Sequence, residues 1–270
     1  RALFLRPGVR TVIDALDQIE PYCHETLAAL SQDAAACNVS HTNWPNAVCE
    51  GAFRIHLAPT ARFQPDRIIG GAGNHSICVQ ADAQVRGGVI DVRGGGIALG
   101  PGTVVEGAWL SGPALIGART TVRPGAYLRG PVILGRKVTV RGELKNAVIM
   151  DDSDFPHPSY LGDSICGYKT HFGNQATAAN VNIFGRRASI KIKIGGETVD
   201  LGRRKVGIIM GDYAQLGCNA VSDPGTLLRP RTIVYALTRV NSGLYGPNEV
   251  LKNKPMEHGV IERVPLRNDS

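Results

Sequence analysis

The chain has 270 residues, 43% of them hydrophobic but only 6% aromatic, and carries 33 glycines and 16 prolines. That length allows one or two domains with a buried core, and the composition disfavours a helical bundle, favouring short strands joined by tight turns. The formal charge of +7 points to anionic partners, and no apolar run approaches the ~20 residues of a membrane span.

Residues 9–30 read as helix. Val9, Val12, Ile13, Leu16 and Ile19 fall at helical spacing, and the pattern resumes from His24 to Leu30 after a kink or break at Pro21. Residues 38–66 lose this period, contain Asn43-Trp44-Pro45-Asn46 and Pro59, and read as an irregular connection. Residues 1–66 are therefore expected to form an N-terminal helix and an irregular cap over the end of whatever follows. Arg1–Leu5 is too short for a signal segment. The six cysteines (Cys23, Cys37, Cys49, Cys78, Cys166, Cys218) form no Cys-x-x-Cys pair, so reduced thiols in a cytoplasmic protein without structural zinc are expected.

From residue 70 glycine becomes dense and the texture changes. Leu110, Ile116, Val122, Leu128, Leu134 and Val140 are spaced six apart, and so are Met210, Leu216, Ser222, Leu228, Val234 and Val240, with only Ser222 off type. Antiparallel hairpins need turn chemistry every roughly 8–12 residues, not a strict six. Three hexads make one coil of about 18 residues, and stacked coils align their inward residues in columns. The expected fold is mainly β: a parallel β-helix over 67–240, followed by a tail over 241–270.

Between the two series, residues 146–205 break the period. Residues 150–160 read as a loop. Residues 181–205 read as a protruding hairpin, with Ala188-Ser-Ile-Lys-Ile-Lys-Ile alternating, Gly195-Gly196 turning and Glu197-Thr-Val-Asp returning. A solenoid places function where its repeat is interrupted, because regular coils are occupied with stacking. These interruptions hold His157, Tyr160, Asn180 and the cluster Arg186, Arg187, Lys191, Lys193, Arg203, Arg204 and Lys205.

Four stretches then carry a family resemblance: Gly142-Glu-Leu-Lys-Asn-Ala-Val-Ile-Met, Pro156-His-Pro-Ser-Tyr-Leu-Gly-Asp-Ser, Gly173-Asn-Gln-Ala-Thr-Ala-Ala-Asn and Arg203-Arg-Lys-Val-Gly-Ile-Ile-Met-Gly-Asp. Over roughly residues 97–255 the chain resembles the acetyltransferase domain of the bifunctional N-acetylglucosamine-1-phosphate uridylyltransferase family. The resemblance implies a left-handed β-helix, a homotrimer with active sites between subunits, and acetyl-CoA as co-substrate, with no metal needed. It implies that His157 is the general base and Asn180 orients the acceptor. Arg123 (or Arg129 or Arg141 in its stead), Lys145 and Tyr160 would hold the sugar phosphate, with His171 standing where the family has an asparagine. Asn174 would offer a backbone N–H to the oxyanion. Cys218 and Ala236 would line the coenzyme A path, and Arg203, Arg204 and Lys205 would meet phosphates. Residues 1–70 are too short for the family's nucleotidyltransferase half. The expected activity is N-acetylation of an amino-sugar 1-phosphate such as glucosamine-1-phosphate.

Other readings remain at this stage. A non-catalytic β-helix that binds a sugar phosphate or serves assembly is the main alternative. A γ-class carbonic anhydrase shares this fold but needs three histidines on a metal, and only His157 and His171 lie in the right region. The basic hairpin offers charge to nucleic acid but no interleaved aromatic platform. Neither a nucleic-acid nor a membrane partner is expected.

Overall fold

A computed structural model of the chain describes residues 2–33, 46–183, 188–253 and 261–265. Arg186, Arg187, Cys37, Asn43-Trp44-Pro45 and residues 254–260 and 266–270 of the expected C-terminal tail lie outside the described residues. Short strands stack in parallel register on three faces, and the inward residue of each strand meets its counterpart one coil away. The first face aligns Ile68, Ile90, Leu110, Leu128, Leu144, Leu161, Ala178, Ser222 and Val240. The second aligns Val79, Leu99, Ile116, Leu134, Ile149, Cys166, Met210 and Leu228. The third runs through Val85, Val105, Val122, Val140 and Phe155, then Phe172, Leu216, Val234 and Leu251. All are buried. The chain is thus a left-handed parallel β-helix of hexapeptide repeats.

The corner between second and third faces shows how the sequence turns. One residue per coil (Arg119, Lys137, Asp152, Lys169, Tyr213 and Arg231) adopts the left-handed conformation there, a region most side chains enter only at a cost. Buried hydroxyls satisfy the carbonyls this turn leaves over. Thr103 Oγ1 donates to Gly117 O at 2.9 Å, Thr120 Oγ1 to Gly135 O at 2.8 Å and Ser153 Oγ to Gly167 O at 3.0 Å.

Several expected boundaries are corrected. Coiling begins well before residue 67: Val48–Glu50 already pairs with Arg67–Ile69, and Arg54–Leu57 with Ser76–Val79. It continues past residue 240 to Glu249–Asn253, whose outer edge is covered by the antiparallel strand Ile261–Pro265. The repeat also survives the expected break. Glu143–Ile149, Asp154–Phe155, Tyr160–Cys166, His171–Phe172 and Thr177–Ala178 are all coil strands, so 150–160 is no free loop. The six-residue rhythm is lost because three corners are short: Val140 and Leu144 stand only four residues apart, and Leu144 to Ile149 and Leu161 to Cys166 only five. Glu143–Ile149 and Tyr160–Cys166 each run unbroken from the first face onto the second. Asn146 and Asp163, both at φ +47°, bend them around the corner. Asn and Asp accept that conformation more readily than other side chains with a Cβ.

The N-terminal segment is not an end cap. Ala2–Leu5 and Asp14–Gln18 are 3₁₀ turns, and the α-helix is Ile19–Asp33. Pro21 does not break it, since it sits in the first turn, where a missing N–H leaves no intrahelical bond unmade. Leu16, Ile19, Cys23 and Leu27 pack along the outside of the second face against residues such as Cys78, Ala98, Val148 and Ile165. The second face is apolar on both sides, so it needs covering.

The expected hairpin is present as Lys191–Ile194 paired with Glu197–Asp200 across Gly195-Gly196. Its buried Ile190 and Ile192 join the same outer layer, while Lys191 and Lys193 are exposed. Arg203 at the base of the hairpin forms an ion pair with Asp17 of the N-terminal segment. At Gly225 (φ +77°) a Cβ would lie 2.9 Å from the Cγ2 atoms of both Ile190 and Ile192. Gly225→Ala is therefore expected to destabilise the chain by about 1–3 kcal/mol through backbone strain and overpacking. A fall in the urea midpoint at unchanged slope would register it.

Among the described residues no helix is long and apolar enough to cross a membrane, and no three His, Cys, Asp or Glu side chains gather as a metal site. Cys23, Cys49, Cys78, Cys166 and Cys218 are free thiols.

Candidate functional site

The corner between third and first faces collects one group of candidate residues. In successive coils the second residue after the inward column is His157 (after Phe155), Asn174 (after Phe172), Cys218 (after Leu216) and Ala236 (after Val234). Backbone bonds lock these turns in line: Gln175 N donates to Pro158 O at 2.8 Å, Asn219 N to Asn174 O at 2.8 Å and Leu237 N to Cys218 O at 2.9 Å. His157 is exposed between Pro156 and Pro158. Arg123 reaches it from the preceding coils, its Nη1 donating to Pro156 O at 3.1 Å. The Asn174 N–H has no backbone acceptor among the described residues.

The first face and its far corner collect a second group. Lys145 stands opposite Gly162, and Tyr160 opposite Glu143 and Thr177. A Cβ at Gly162 would fall 2.6 Å from both Tyr160 Oη and Asn180 Nδ2. Glycine there lets the phenol lie on the strand, and Tyr160 Oη donates to Asn180 Oδ1 at 3.4 Å. Burial, helped by the Glu143 and Asp163 carboxylates, pushes the Tyr160 phenol above its ordinary pKa, so it stays protonated as a donor. Asn180 sits at the root of the hairpin insertion, and its carbonyl accepts from Val206 N at 3.1 Å. Arg129 is held by Glu143 at 2.6 Å on the same face. His157 precedes Tyr160 by three residues, about 10 Å at ~3.3 Å per residue, and the corner of Asp163 and Asn180 comes three residues further on, so the two groups flank one face.

Three expected residues fall elsewhere. His171 opens the third face, its Nδ1 3.9 Å from Asp154 Oδ2, and joins neither group. Arg203 is committed to Asp17. Lys205 is exposed at the root of the insertion, bridged to Val181.

Two residues not singled out in the sequence also belong to the second group. Asp163 is buried and accepts from Asn146 Nδ2 at 2.9 Å and from Asn180 Nδ2 at 2.5 Å. The three residues are equally spaced along the chain, one coil apart on one corner, and that regular recurrence of Asn, Asp and Asn was their readable signal.

No family model matches the chain. It is 32% identical over 99 residues, 37% of its length, to a bifunctional sugar-1-phosphate nucleotidylyltransferase/acetyltransferase of Sulfurisphaera tokodaii. It is 36% identical over 83 residues, 31% of its length, to a bifunctional protein GlmU of Methanocaldococcus jannaschii. These matches take in 24% and 20% of the relatives, so the chain spans about a quarter or less of their length. The polysialic acid O-acetyltransferase OatWY aligns with a TM-score of 0.30 and 13% identity, over 81% of this chain and 89% of that one. The resemblance read in the sequence, to part of the bifunctional sugar-phosphate nucleotidyltransferase/acetyltransferases, is thus met in about a third of the chain.

Proposed function

We propose that the chain is an acetyl-CoA-dependent N-acetyltransferase acting on an amino-sugar 1-phosphate such as glucosamine-1-phosphate, and that it works as a homotrimer. One observation carries the reading: His157 and Asn174 stand at one edge of an open face whose other edge holds Lys145, Tyr160 and Asn180. A sugar over that face would present its phosphate to Lys145 and its amine between the Asn180 oxygen and the His157 base.

In this reading the amine nitrogen attacks the thioester carbonyl and His157 takes the proton it sheds. The C–N bond forms, and the negative charge that collects on the carbonyl oxygen meets the Asn174 N–H. The C–S bond then breaks, and the departing coenzyme A thiolate receives a proton. No covalent enzyme intermediate is needed. Lys145, Arg123 and Tyr160 hold the acceptor phosphate, charge-assisted bonds being the strong ones. Cys218 and Ala236, next along the corner, line the coenzyme A path. Arg203 is withdrawn from phosphate binding by Asp17, leaving Arg204 and Lys205 of that cluster.

The direct test incubates the protein with acetyl-CoA and glucosamine-1-phosphate and follows thiol release. Absence of release with this and every other amino-sugar 1-phosphate would sink the activity, and a sedimentation mass other than three chains would sink the trimer. Thiol chemistry offers an independent check. Cys218 is exposed, whereas burial pushes the Cys23 thiol up to about 12 and the Cys166 thiol higher still. Maleimide is expected to label Cys218 in the native protein while sparing Cys23 and Cys166. Acetyl-CoA should slow that labelling several-fold, and mass spectrometry of the labelled peptides reads both effects.

A further inference from the structure

Among the described residues two aspartates are buried, and they differ in how they are held. Asp91 forms an ion pair with Arg93 at 2.6 Å. Asp163, 5% exposed, has no cation within salt-bridge reach among the described residues and is satisfied by two side-chain amides. Burying a carboxylate is costly unless hydrogen bonds replace its water, so this arrangement has a strong preference for one hydrogen-bond pattern.

That preference has a direction. A carboxylate only accepts, while a primary amide presents a donor on one side and an acceptor on the other. Asp163 Oδ2 therefore dictates that Asn180 turns its NH₂ inward, at 2.5 Å, and leaves Oδ1 facing the Tyr160 hydroxyl at 3.4 Å. Asp163 Oδ1 does the same to Asn146, at 2.9 Å. The carboxylate is held in turn by its own backbone, since Asp163 lies at φ +47° and its carbonyl accepts from Gly207 N at 2.8 Å, across the root of the insertion.

An amine attacking a thioester must keep its lone pair toward the carbonyl, so its N–H groups need acceptors elsewhere. We infer that Asp163 is a positioning residue that fixes the Asn180 amide with its oxygen outward, where it accepts an N–H of the acceptor amine. This rests on the acetyltransferase reading above. Asp163→Asn keeps the shape but supplies a group that can donate to Asn180 as well as accept from it. The Asn180 amide then loses its enforced direction and can present NH₂ to the amine.

The test compares wild type with Asp163→Asn, Asn180→Asp and the double exchange. In the exchange, the Asn at 163 still accepts from Asn146 and donates to the Asp at 180, whose outer oxygen still faces the amine. Asp163→Asn is expected to lower kcat by about 10- to 100-fold, a loss of the size that misorientation causes, with KM for acetyl-CoA unchanged. Asn180→Asp, which sets two carboxylates at 2.5 Å, should fall at least as far, and the double exchange should recover most of the loss. Wild-type kcat in Asp163→Asn, or a double variant no better than the worse single, overturns the inference. A second readout does not depend on turnover: the side-chain ¹⁵N–¹H pair of Asn180 should move in Asp163→Asn. If wild type acetylates no amino-sugar phosphate, the proposed function fails, and unmoved Asn180 amide signals in Asp163→Asn separately overturn the positioning role.

Discussion

Replacing His157 by alanine is expected to lower kcat for acetyl transfer by about 10²- to 10⁴-fold, the usual contribution of a positioned general base, while leaving the fold intact. The side chain is exposed on a corner whose backbone is held by other residues. Arg123 grips the Pro156 carbonyl, the Ser159 hydroxyl bonds the His157 carbonyl at 3.3 Å, and Gln175 bonds Pro158. None of these bonds uses the imidazole, so its removal should change stability by less than about 0.5 kcal/mol, as for surface substitutions in general. Steady-state kinetics with both substrates varied, beside a thermal melt, separates the two effects. A full-strength His157→Ala would remove His157 from the chemistry and with it the ordering of roles along the corner.

Phe172→Ala is the change expected to cost most stability, about 3–5 kcal/mol, the range for large-to-small substitutions of buried aromatics. Phe155 and Phe172 are fully buried, and their rings stack with centroids 4.9 Å apart and an interplanar angle of 12°. Offset stacking adds to the area they bury. In a coil stack each layer touches only its neighbours, so the void cannot be filled from elsewhere along the axis. It would also lie directly inside the turn carrying Asn174 and beside the one carrying His157. Calorimetry should show the melting temperature falling by about 5–10 °C, and kcat should fall with it. An unchanged melting temperature would show that the core collapses to fill the space.

Much of the architecture was legible because column residues must recur. Leu110 and Val140 belong to one uninterrupted series, and their spacing alone implies coils. The apparent break had a local cause that spacing cannot reveal. The step from Val140 to Leu144 drops two residues and the corners at Asn146 and Asp163 drop one each, which shifts the phase of everything after them. A signal for the covered face was present and went unread. Val132-Ile133-Leu134 and Ile208-Ile209-Met210 are apolar throughout rather than alternating, the mark of strands buried on both sides. The motifs named candidate residues, and the structure gathers some of them at two edges of one face while His171, Arg203 and Lys205 lie apart. The Asp17–Arg203 pair was not legible, since nothing local connects an N-terminal turn to the foot of a distant hairpin.

The helix along the second face has a mechanical meaning. Ile19–Asp33 has 15 residues, about 22 Å of length. It touches the strands from Ser76–Val79 to Glu143–Ile149. These are the first and last of five successive coils, about 19 Å of stack at ~4.8 Å per layer. A bare solenoid can fray one rung at a time from either end. A splint fastened across five rungs makes the loosening of any one of them strain its grip on the other four, so this part of the stack should open as a block, and late.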